Sequence, residues 1–190
     1  MQARWILASS SPRRIELLRR AGVAVEVIPS DVEELHELDW DIRALCRENA
    51  RRKACDVASR HPGAWVIGAD TLVGLDGIPL GKPVDEVEAR AMLRALSARV
   101  NQVCTGVCVV APDGGETVLD EITEVEFRPL SDEIIDAYLA QVHTLDKAGG
   151  YAVQEQGDMI IAEVRGDVDN VIGLPVSRLL VVLGNLGVNF

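Results

Sequence analysis

The sequence has no long hydrophobic run, no excess of basic charge and no CxxC pair of cysteines. No apolar stretch approaches the roughly 20 residues that span a bilayer. The serines, proline and arginines of residues 9–14 also interrupt any signal-peptide hydrophobic region near the start. These absences argue against a membrane protein and predict a cytoplasmic location.

Basic residues are in deficit, with 19 Lys and Arg against 30 Asp and Glu, and the formal net charge is −11. Such a field repels a nucleic-acid backbone, which argues against a general DNA or RNA binder. A small polyanion is not excluded, because a few cationic side chains that converge on one cleft create a local positive potential. A divalent cation would add to that potential.

The residue types that can bind zinc or form disulfides, cysteine and histidine, are few and scattered. They are Cys46, Cys55, Cys104, Cys108, His36, His61 and His143. The cysteines form no CxxC pair, and the histidines lie far apart in the sequence. A zinc site or a disulfide framework is therefore the weaker interpretation, and we expect partly buried free thiols.

Length and composition predict a single folded unit over residues 1–190, with one sizeable core or one large and one small lobe. Strands and helices alternate along it. Strands are predicted at residues 5–8, 23–28, 65–73, 103–110 and 117–127 and around 159–164. Helices are predicted after Pro12, over residues 41–59, from Asp85 to about 96, from Ser131 to about 141, and from near Pro175.

The first strand breaks into the sequence Ser-Ser-Ser-Pro-Arg-Arg at residues 9–14. Ser11 is a suitable N-cap and Pro12 suits the first helical position. Backbone N–H groups at such a helix start bind phosphate, and Arg13 and Arg14 would add charged donors beside it. A capped helix with solvated arginines explains the same residues, so both interpretations stay open at this point.

Asp70 lies within the apolar run of residues 65–73. An unpaired carboxylate is costly in such surroundings, so Asp70 needs a metal, a cation or backbone donors. The structural alternative is a turn or a helix cap, but no helical pattern follows at residues 71–73. We therefore favour a functional carboxylate.

Further charged residues could complete a phosphate and metal site. The acidic loop of residues 29–37 offers a second metal ligand in Glu33 or Glu34, while Lys53 and Lys82 offer phosphate partners. Each residue alone is explained by a solvated surface. Together they suit a nucleoside triphosphate held with a divalent ion.

The glycine-rich segment of residues 146–154 could contact a nucleobase. The Tyr151 ring could stack on a base and the Gln154 amide could pair with its edge. An ordinary loop followed by a strand explains the segment equally well. Residues 169–175 form another turn, for which a capped helix start is a sufficient explanation.

Several ordered motifs together resemble the Maf family of nucleoside triphosphate pyrophosphatases, and they extend almost from end to end of the chain. They are LASSSPRRIELLRRAG near the start, ARRKA at 50–54, GADTLV at 68–73, LGKP at 80–83, TGV at 105–107, DKAGGYAVQ at 146–154 and NVIGLP at 170–175.

The resemblance implies an α/β fold shared with inosine triphosphate pyrophosphatases, with an elongated mixed β-sheet flanked by helices and a cleft between two lobes. It implies hydrolysis of a nucleoside triphosphate to the monophosphate and pyrophosphate, with Mg²⁺ or Mn²⁺, in a homodimer. The alternative is a nucleotide-binding regulator of cell division or septum formation that needs no turnover. A structural interaction protein without a nucleotide site is a third candidate.

The resemblance also implies roles for individual residues. Asp70 matches the family's proton acceptor and, with Glu34, its metal site. The remaining phosphate-site or metal-site positions are Ser9, Arg13, Arg14, Lys53 and Lys82. Arg13, Thr71 and Gln154 match the trio that separates the branch preferring dTTP and UTP from the branch acting on methylated guanine nucleotides. Two glycines typical of the family are replaced, by Ala152 and Glu155.

Overall fold

The computed structural model describes residues 3–36 and 41–188, so Glu37, the last residue of the predicted acidic loop, lies outside the described residues. The strands are β1 (Trp5–Leu7), β2 (Glu26–Val27), β3 (Trp65–Leu75), β4 (Ile78–Leu80), β5 (Val100–Val110), β6 (Glu116–Phe127) and β7 (Ile161–Arg165). The helices are α1 (Pro12–Arg20), α2 (Ile42–Arg60), α3 (Glu86–Leu96), α4 (Asp132–Leu139), α5 (Gly157–Ile160), α6 (Val168–Ile172) and α7 (Val176–Asn185). A 3₁₀ turn covers Ala148–Gly150.

The strands form one 7-stranded sheet in the order β2-β1-β3-β5-β6-β7, and β4 pairs with β3 outside that path. β1 runs parallel to β2 and β3, while the remaining pairs are antiparallel. The predicted α/β fold with a mixed sheet flanked by helices is therefore confirmed. In the described ranges, no helix combines the length and the apolar character that a membrane crossing requires.

Local capping chemistry accounts for most helix starts. Asp41, Asp85, Ser131 and Asp167 each accept a hydrogen bond from a backbone N–H in the first turn of the helix that follows. Pro12 occupies the first position of α1, as the sequence predicts, and the positive φ of 77° at Gly22 follows the end of that helix.

Two predicted strands differ from the structure. The strand expected over 23–28 contains only Glu26 and Val27. The strand expected around 159–164 starts late, because residues 157–160 form α5 and only Ile161–Arg165 pair with β6. Gln156 has a left-handed backbone conformation before this helical turn, and a short apolar run does not by itself distinguish a helix from a strand.

One face of the sheet carries two apolar clusters. Residues of α1 and α7 pack against the ends of β3 and β5 near Ile67 and Val109. Residues of α3 and α4 pack against the opposite ends of the same strands, near Val73 and Val103. The polar side chain of Thr71 lies between the two clusters on β3, so the sheet face has a polar strip where the helical layers separate.

Helix α2 covers the other face of the sheet at very short range. A Cβ atom built on Gly68 would lie 2.4 Å from the carbonyl oxygen of Ala50, and one on Gly106 would lie 2.4 Å from that of Cys46. Only glycine fits under the helix at these two positions, because any side chain would overlap the α2 backbone. This close approach brings α2 side chains directly over the middle of β3.

The edge of β3 has a gap that becomes the floor of a cleft. β1 pairs with residues 65–67 and β4 pairs with residues 73–75. Because β5 occupies the opposite edge throughout, β1 and β4 lie along the same edge of β3. Among the described residues, no strand pairs with residues 68–72 on this edge, and Asp70 and Thr71 lie in that interval.

Candidate active site

The nine site residues that the family resemblance implies line a single cleft of about 820 Å³, a size that suits a small-molecule ligand. These residues are Ser9, Arg13, Arg14, Glu34, Lys53, Asp70, Thr71, Lys82 and Gln154. They come from the loop after β1, from α1 and α2, from the acidic loop, from β3, and from the loops after β4 and the 3₁₀ turn. The topology therefore converts separate sequence motifs into one site.

Asp70 is the most deeply buried acidic side chain in the cleft, with 3% of its surface exposed. Its Oδ1 atom lies 2.6 Å from Nζ of Lys53, and its Oδ2 atom accepts a hydrogen bond of 3.2 Å from Nδ2 of Asn49. Asn49 and Lys53 are four residues apart on α2 and so occupy the same face of the helix. Both carboxylate oxygens of Asp70 are thus partnered, as its burial requires.

Glu34 contacts the same ammonium group as Asp70. Its Oε1 atom lies 2.6 Å from Nζ of Lys53. Burial acts to raise the pKa of Glu34, but the positive charges of Lys53, Lys82 and Arg14 together hold it below its ordinary value. Glu34 is therefore ionised at neutral pH, and it is the residue of the acidic loop that reaches the site, whereas Glu33 is exposed outside the cleft lining.

Asn49 is a site residue that the sequence interpretation missed. Its side-chain amide donates to the Leu35 carbonyl at 3.1 Å and accepts from the Leu35 N–H at 2.8 Å. It thus fastens the acidic loop to α2 beside Glu34 while it also contacts Asp70. The available signal was an amide in an otherwise apolar helix face, one turn before Lys53.

The paired carboxylates fit a divalent cation. Oxygens of Glu34 and Asp70 converge on one cationic atom, Nζ of Lys53, which marks a position where positive charge is stabilised. In the described chain, no group of three or more His, Cys, Asp or Glu side chains could hold a metal. The two carboxylates of Glu34 and Asp70 nevertheless suit Mg²⁺, which is commonly bound by one or two carboxylates together with substrate phosphates and water.

Arg14 is a half-buried organiser of the cleft wall and not a solvated side chain. It donates from Nε to the Gly173 carbonyl at 2.9 Å, from Nη1 to Ser9 Oγ at 3.1 Å, and from Nη2 to Thr71 Oγ1 at 3.0 Å. Burial lowers the pKa of the guanidinium, while attraction by Asp70 and Glu34 opposes that shift. The alternative left open by the sequence, a capped helix with solvated arginines, does not describe Arg14.

Thr71 forms a hydrogen bond with Thr105, a second residue that the sequence interpretation did not include in the site. Thr105 lies opposite it in the antiparallel pairing of β3 and β5, and the two hydroxyl oxygens are 2.9 Å apart. The hydroxyl of Thr105 also lies 3.0 Å from the Asn170 carbonyl, to which it donates. This polar strip joins β3, β5 and α6 beneath Arg14.

The remaining predicted residues line the mouth and the far side of the cleft. Arg13 pairs with Asp146, with 3.0 Å between Nη1 and Oδ2. Lys82 is exposed and, within the residues that the structure describes, forms neither a hydrogen bond nor an ion pair. Gln154 is also exposed to the cleft. Both side chains are therefore accessible to a ligand.

Tyr151 differs from its proposed role as a stacking platform. The ring is buried, packs edge-on against Phe127 with 4.9 Å between the ring centroids, and donates its hydroxyl hydrogen to Asn101 at 2.9 Å. The ring therefore belongs to the core beneath the loop. Of the two residues suggested for base contacts, only Gln154 presents its side chain at the exposed surface of the cleft.

The fold is shared with a protein of known structure. The Ham1 protein of Staphylococcus aureus superposes with a TM-score of 0.57 at 18% sequence identity, covering 96% of this chain and 99% of that chain. At this identity the likeness concerns the fold alone, and it confirms the architecture expected from the sequence.

Sequence comparison identifies the family. The Maf-like protein family matches residues 4–186, so this chain belongs to the Maf family. A dTTP/UTP pyrophosphatase of Akkermansia muciniphila is 53% identical over 182 residues, covering 96% of both chains. Another dTTP/UTP pyrophosphatase, from Symbiobacterium thermophilum, is 48% identical and covers 96% of this chain and 93% of its own length.

Proposed function

We propose that this protein hydrolyses nucleoside triphosphates, with dTTP and UTP preferred, to the monophosphate and pyrophosphate with the help of Mg²⁺ or Mn²⁺. The observation that carries the proposal is the buried Asp70 carboxylate, which shares the Lys53 ammonium with Glu34 in a cleft lined by Arg13 and Lys82. The names of relatives 48% and 53% identical to this chain support the reaction and the pyrimidine preference.

The cationic side chains bind and orient the triphosphate. Arg13 and Lys82 lie at accessible positions of the cleft and provide charge-assisted donors to phosphate oxygens. Arg14 uses three of its N–H groups on the protein, so its main task is to fix the Ser9 loop and Thr71 around the phosphates. Gln154 would contact the base edge, because its amide carries both donors and an acceptor.

Glu34 and Asp70 would hold the divalent cation, which when bound would lower the pKa of a water molecule and neutralise charge on the triphosphate. A carboxylate oxygen of Asp70 accepts the proton as the water oxygen forms a bond to the α-phosphorus. The bond between the α-phosphorus and the bridging oxygen breaks, and its electron pair leaves with pyrophosphate. Lys53, released from between the carboxylates, stabilises the charge that develops on the phosphate oxygens.

A panel of canonical and modified nucleoside triphosphates with Mg²⁺ or Mn²⁺ tests the proposal through pyrophosphate release. We expect release from dTTP and UTP, and a loss of about 10²-fold or more in Asp70→Asn. The matched control is Asp120→Asn, because Asp120 is also buried, is paired with Arg47 at 3.3 Å, and lies outside the cleft lining. A parental rate in Asp70→Asn would overturn the assignment of Asp70.

The alternative of a nucleotide-binding regulator predicts ligand binding without turnover. A triphosphate that raises the melting temperature but releases no pyrophosphate would favour it. The names of the relatives favour the pyrophosphatase. We also propose that the chain is a single domain over residues 1–190, that it forms a homodimer and that it is cytoplasmic. Gel filtration of the purified chain tests the homodimer directly.

A further inference from the structure

Lys147 is a buried cation at the far side of the cleft that the proposed reaction does not use. Only 6% of its surface is exposed. Its Nζ atom lies 2.9 Å from Oδ1 of Asp146 and 3.3 Å from Oε1 of Glu155, and it also donates to the His143 carbonyl. A lysine is almost never buried to this degree unless its charge is paired, so these contacts determine its position.

The contacts of Lys147 extend to a predicted substrate-binding residue. Asp146 uses its second oxygen, Oδ2, to pair with Nη1 of Arg13 at 3.0 Å. Burial acts to raise the pKa of Asp146, but hydrogen bonds from Lys147 and Arg13 hold it below its usual value. Two carboxylates and two cations therefore alternate in the order Glu155, Lys147, Asp146, Arg13.

The backbone after Lys147 is hydrogen-bonded to the loop that carries Lys82. Gly149 donates its N–H to the Gly81 carbonyl at 2.9 Å, directly before Lys82, and Gly150 donates to the Lys147 carbonyl at 3.0 Å. Gly149 and Gly150 have φ values of 70° and 71°, which glycine adopts without strain. The turn that buries Lys147 thus also fixes the loop that carries Lys82.

Glu155 connects Lys147 to Gln154. Its carboxylate is held at Lys147 while the adjacent Gln154 side chain is exposed to the cleft. The next residue, Gln156, has a left-handed backbone with φ of 52°. A tethered Glu155 therefore restricts the directions in which the Gln154 side chain can point.

We infer that Lys147 is a positioning residue for nucleotide binding, which holds Arg13, Lys82 and Gln154 in one arrangement through Asp146, the 147–150 turn and Glu155. The inference rests on the proposed function and adds Lys147 and Glu155 to the residues that determine substrate affinity. Neither Lys147 nor Glu155 takes part in the ion pairs that join Lys53 to Glu34 and Asp70. The ammonium of Lys147 therefore affects the binding of substrate more than the chemical step.

Steady-state kinetics of Lys147→Met with dTTP and UTP tests the inference. We expect KM to rise about tenfold or more, the size that follows from losing one charge-assisted hydrogen bond, with a smaller change in kcat. Arg165→Met is the matched control, because Arg165 also contacts several carboxylates, those of Glu124, Glu126 and Glu163, outside the cleft lining. Its KM should equal that of the parent.

A double-mutant cycle separates positioning from a general loss of structure. Glu155→Gln keeps the shape and removes the charge that contacts Lys147, so it should raise KM in the parent but add little in the Lys147→Met background. If Lys147→Met fails to fold, Glu155→Gln carries the test alone, because the Glu155 side chain is 45% exposed and replaceable at little cost to the core.

The possible outcomes distinguish this inference from the proposed function. An active parent whose folded Lys147→Met and Glu155→Gln variants keep the parental KM would overturn the positioning role only. A fall in kcat at constant KM would overturn it as well. A parent that hydrolyses no triphosphate would overturn the proposed function, and the inference with it.

Discussion

The ammonium nitrogen of Lys53 lies 2.6 Å from Oδ1 of Asp70 and at the same distance from Oε1 of Glu34. One cation is thus shared by two carboxylates that belong to different segments of the chain. The arrangement depends on α2, which lies close enough to the sheet for Lys53 to reach across to β3. The same two carboxylates can therefore bind either the lysine ammonium or a divalent cation.

Replacing Lys53 by Met removes this charge and keeps most of the side-chain stem. We expect kcat for dTTP to fall by about 10²–10³, the cost of removing one group that stabilises developing charge. Without the competing ammonium, Mn²⁺ should bind to Glu34 and Asp70 more tightly in the absence of nucleotide, as electron paramagnetic resonance of free Mn²⁺ can measure. Unchanged kcat and unchanged Mn²⁺ binding together would contradict this account of Lys53.

Gly106→Ala tests the close approach of α2. The new Cβ would lie 2.4 Å from the Cys46 carbonyl, so the helix must move away from the sheet. We expect a loss of about 1–3 kcal/mol in the free energy of unfolding, measured in urea, and a fall in turnover because Asn49 and Lys53 move with the helix.

Gly184→Ala is the control for this substitution. Gly184 lies in α7, and nothing lies within 4 Å of a Cβ built there. The change should leave stability equal or raise it by roughly 0.5–1 kcal/mol, since alanine loses less backbone entropy than glycine in a helix. Equal changes in the free energy of unfolding in Gly106→Ala and Gly184→Ala would show that the position of α2 does not depend on a glycine at residue 106.

Thr105→Val tests the polar strip beneath Arg14. Valine has the shape of threonine but leaves the Asn170 carbonyl and the Thr71 hydroxyl without their shared partner. Both groups keep another partner, because Arg14 still donates to Thr71 and the Gly173 N–H still donates to the Asn170 carbonyl. We therefore expect a loss of about 0.5–1.5 kcal/mol in the free energy of unfolding, the net contribution of a typical hydrogen bond, and a higher KM because Thr71 is less firmly oriented. Thr105→Ser keeps the hydroxyl and should restore KM, whereas equal KM values in the two variants would argue against this role.

The buried thiol of Cys108 contributes to the pH dependence of stability. Burial, aided by the nearby Cys55 and Glu116, raises the pKa of Cys108 to about 12. An unfolded thiol titrates near about 8.5, so above that pH the unfolded chain loses a proton that the folded chain keeps. Cys108 therefore lowers stability by about 1.4 kcal/mol per pH unit between roughly pH 9 and 12, and contributes nothing at pH 7.

Urea unfolding of Cys108→Ala and the parent at several pH values between 8 and about 11 measures this contribution. The variant should show a shallower decline of stability with rising pH, whatever its stability at neutral pH. Parallel declines in the two proteins would mean that Cys108 titrates at the same pH in the folded and unfolded chains.

The sequence was informative where the chemistry is local. Asp70 in an apolar run, Pro12 at the first helical position and Asp85 at a helix start each carry a physical signature within a few residues. Residues 159 and 160 were expected as strand but lie in α5, because a short apolar run fits either a helical turn or a strand and the left-handed residue before the turn, Gln156, is not glycine.

Other site residues depend on pairings between distant parts of the chain. Thr105 reaches Thr71 only through the register of β3 and β5, and Lys147 meets Glu155 only after a double-glycine turn. No local pattern fixes such contacts. The motifs could therefore indicate which residues belong to the site, while the supports beneath them needed the fold.

Hydrolysis of dTTP in water enriched in ¹⁸O, with Mg²⁺ present, tests the central claim most directly. Attack at the α-phosphorus predicts that the label appears in the nucleoside monophosphate and that the pyrophosphate remains unlabelled, with both products lost in Asp70→Asn and kept in Asp120→Asn. Label in pyrophosphate, or release of orthophosphate and a nucleoside diphosphate, would contradict the proposed reaction.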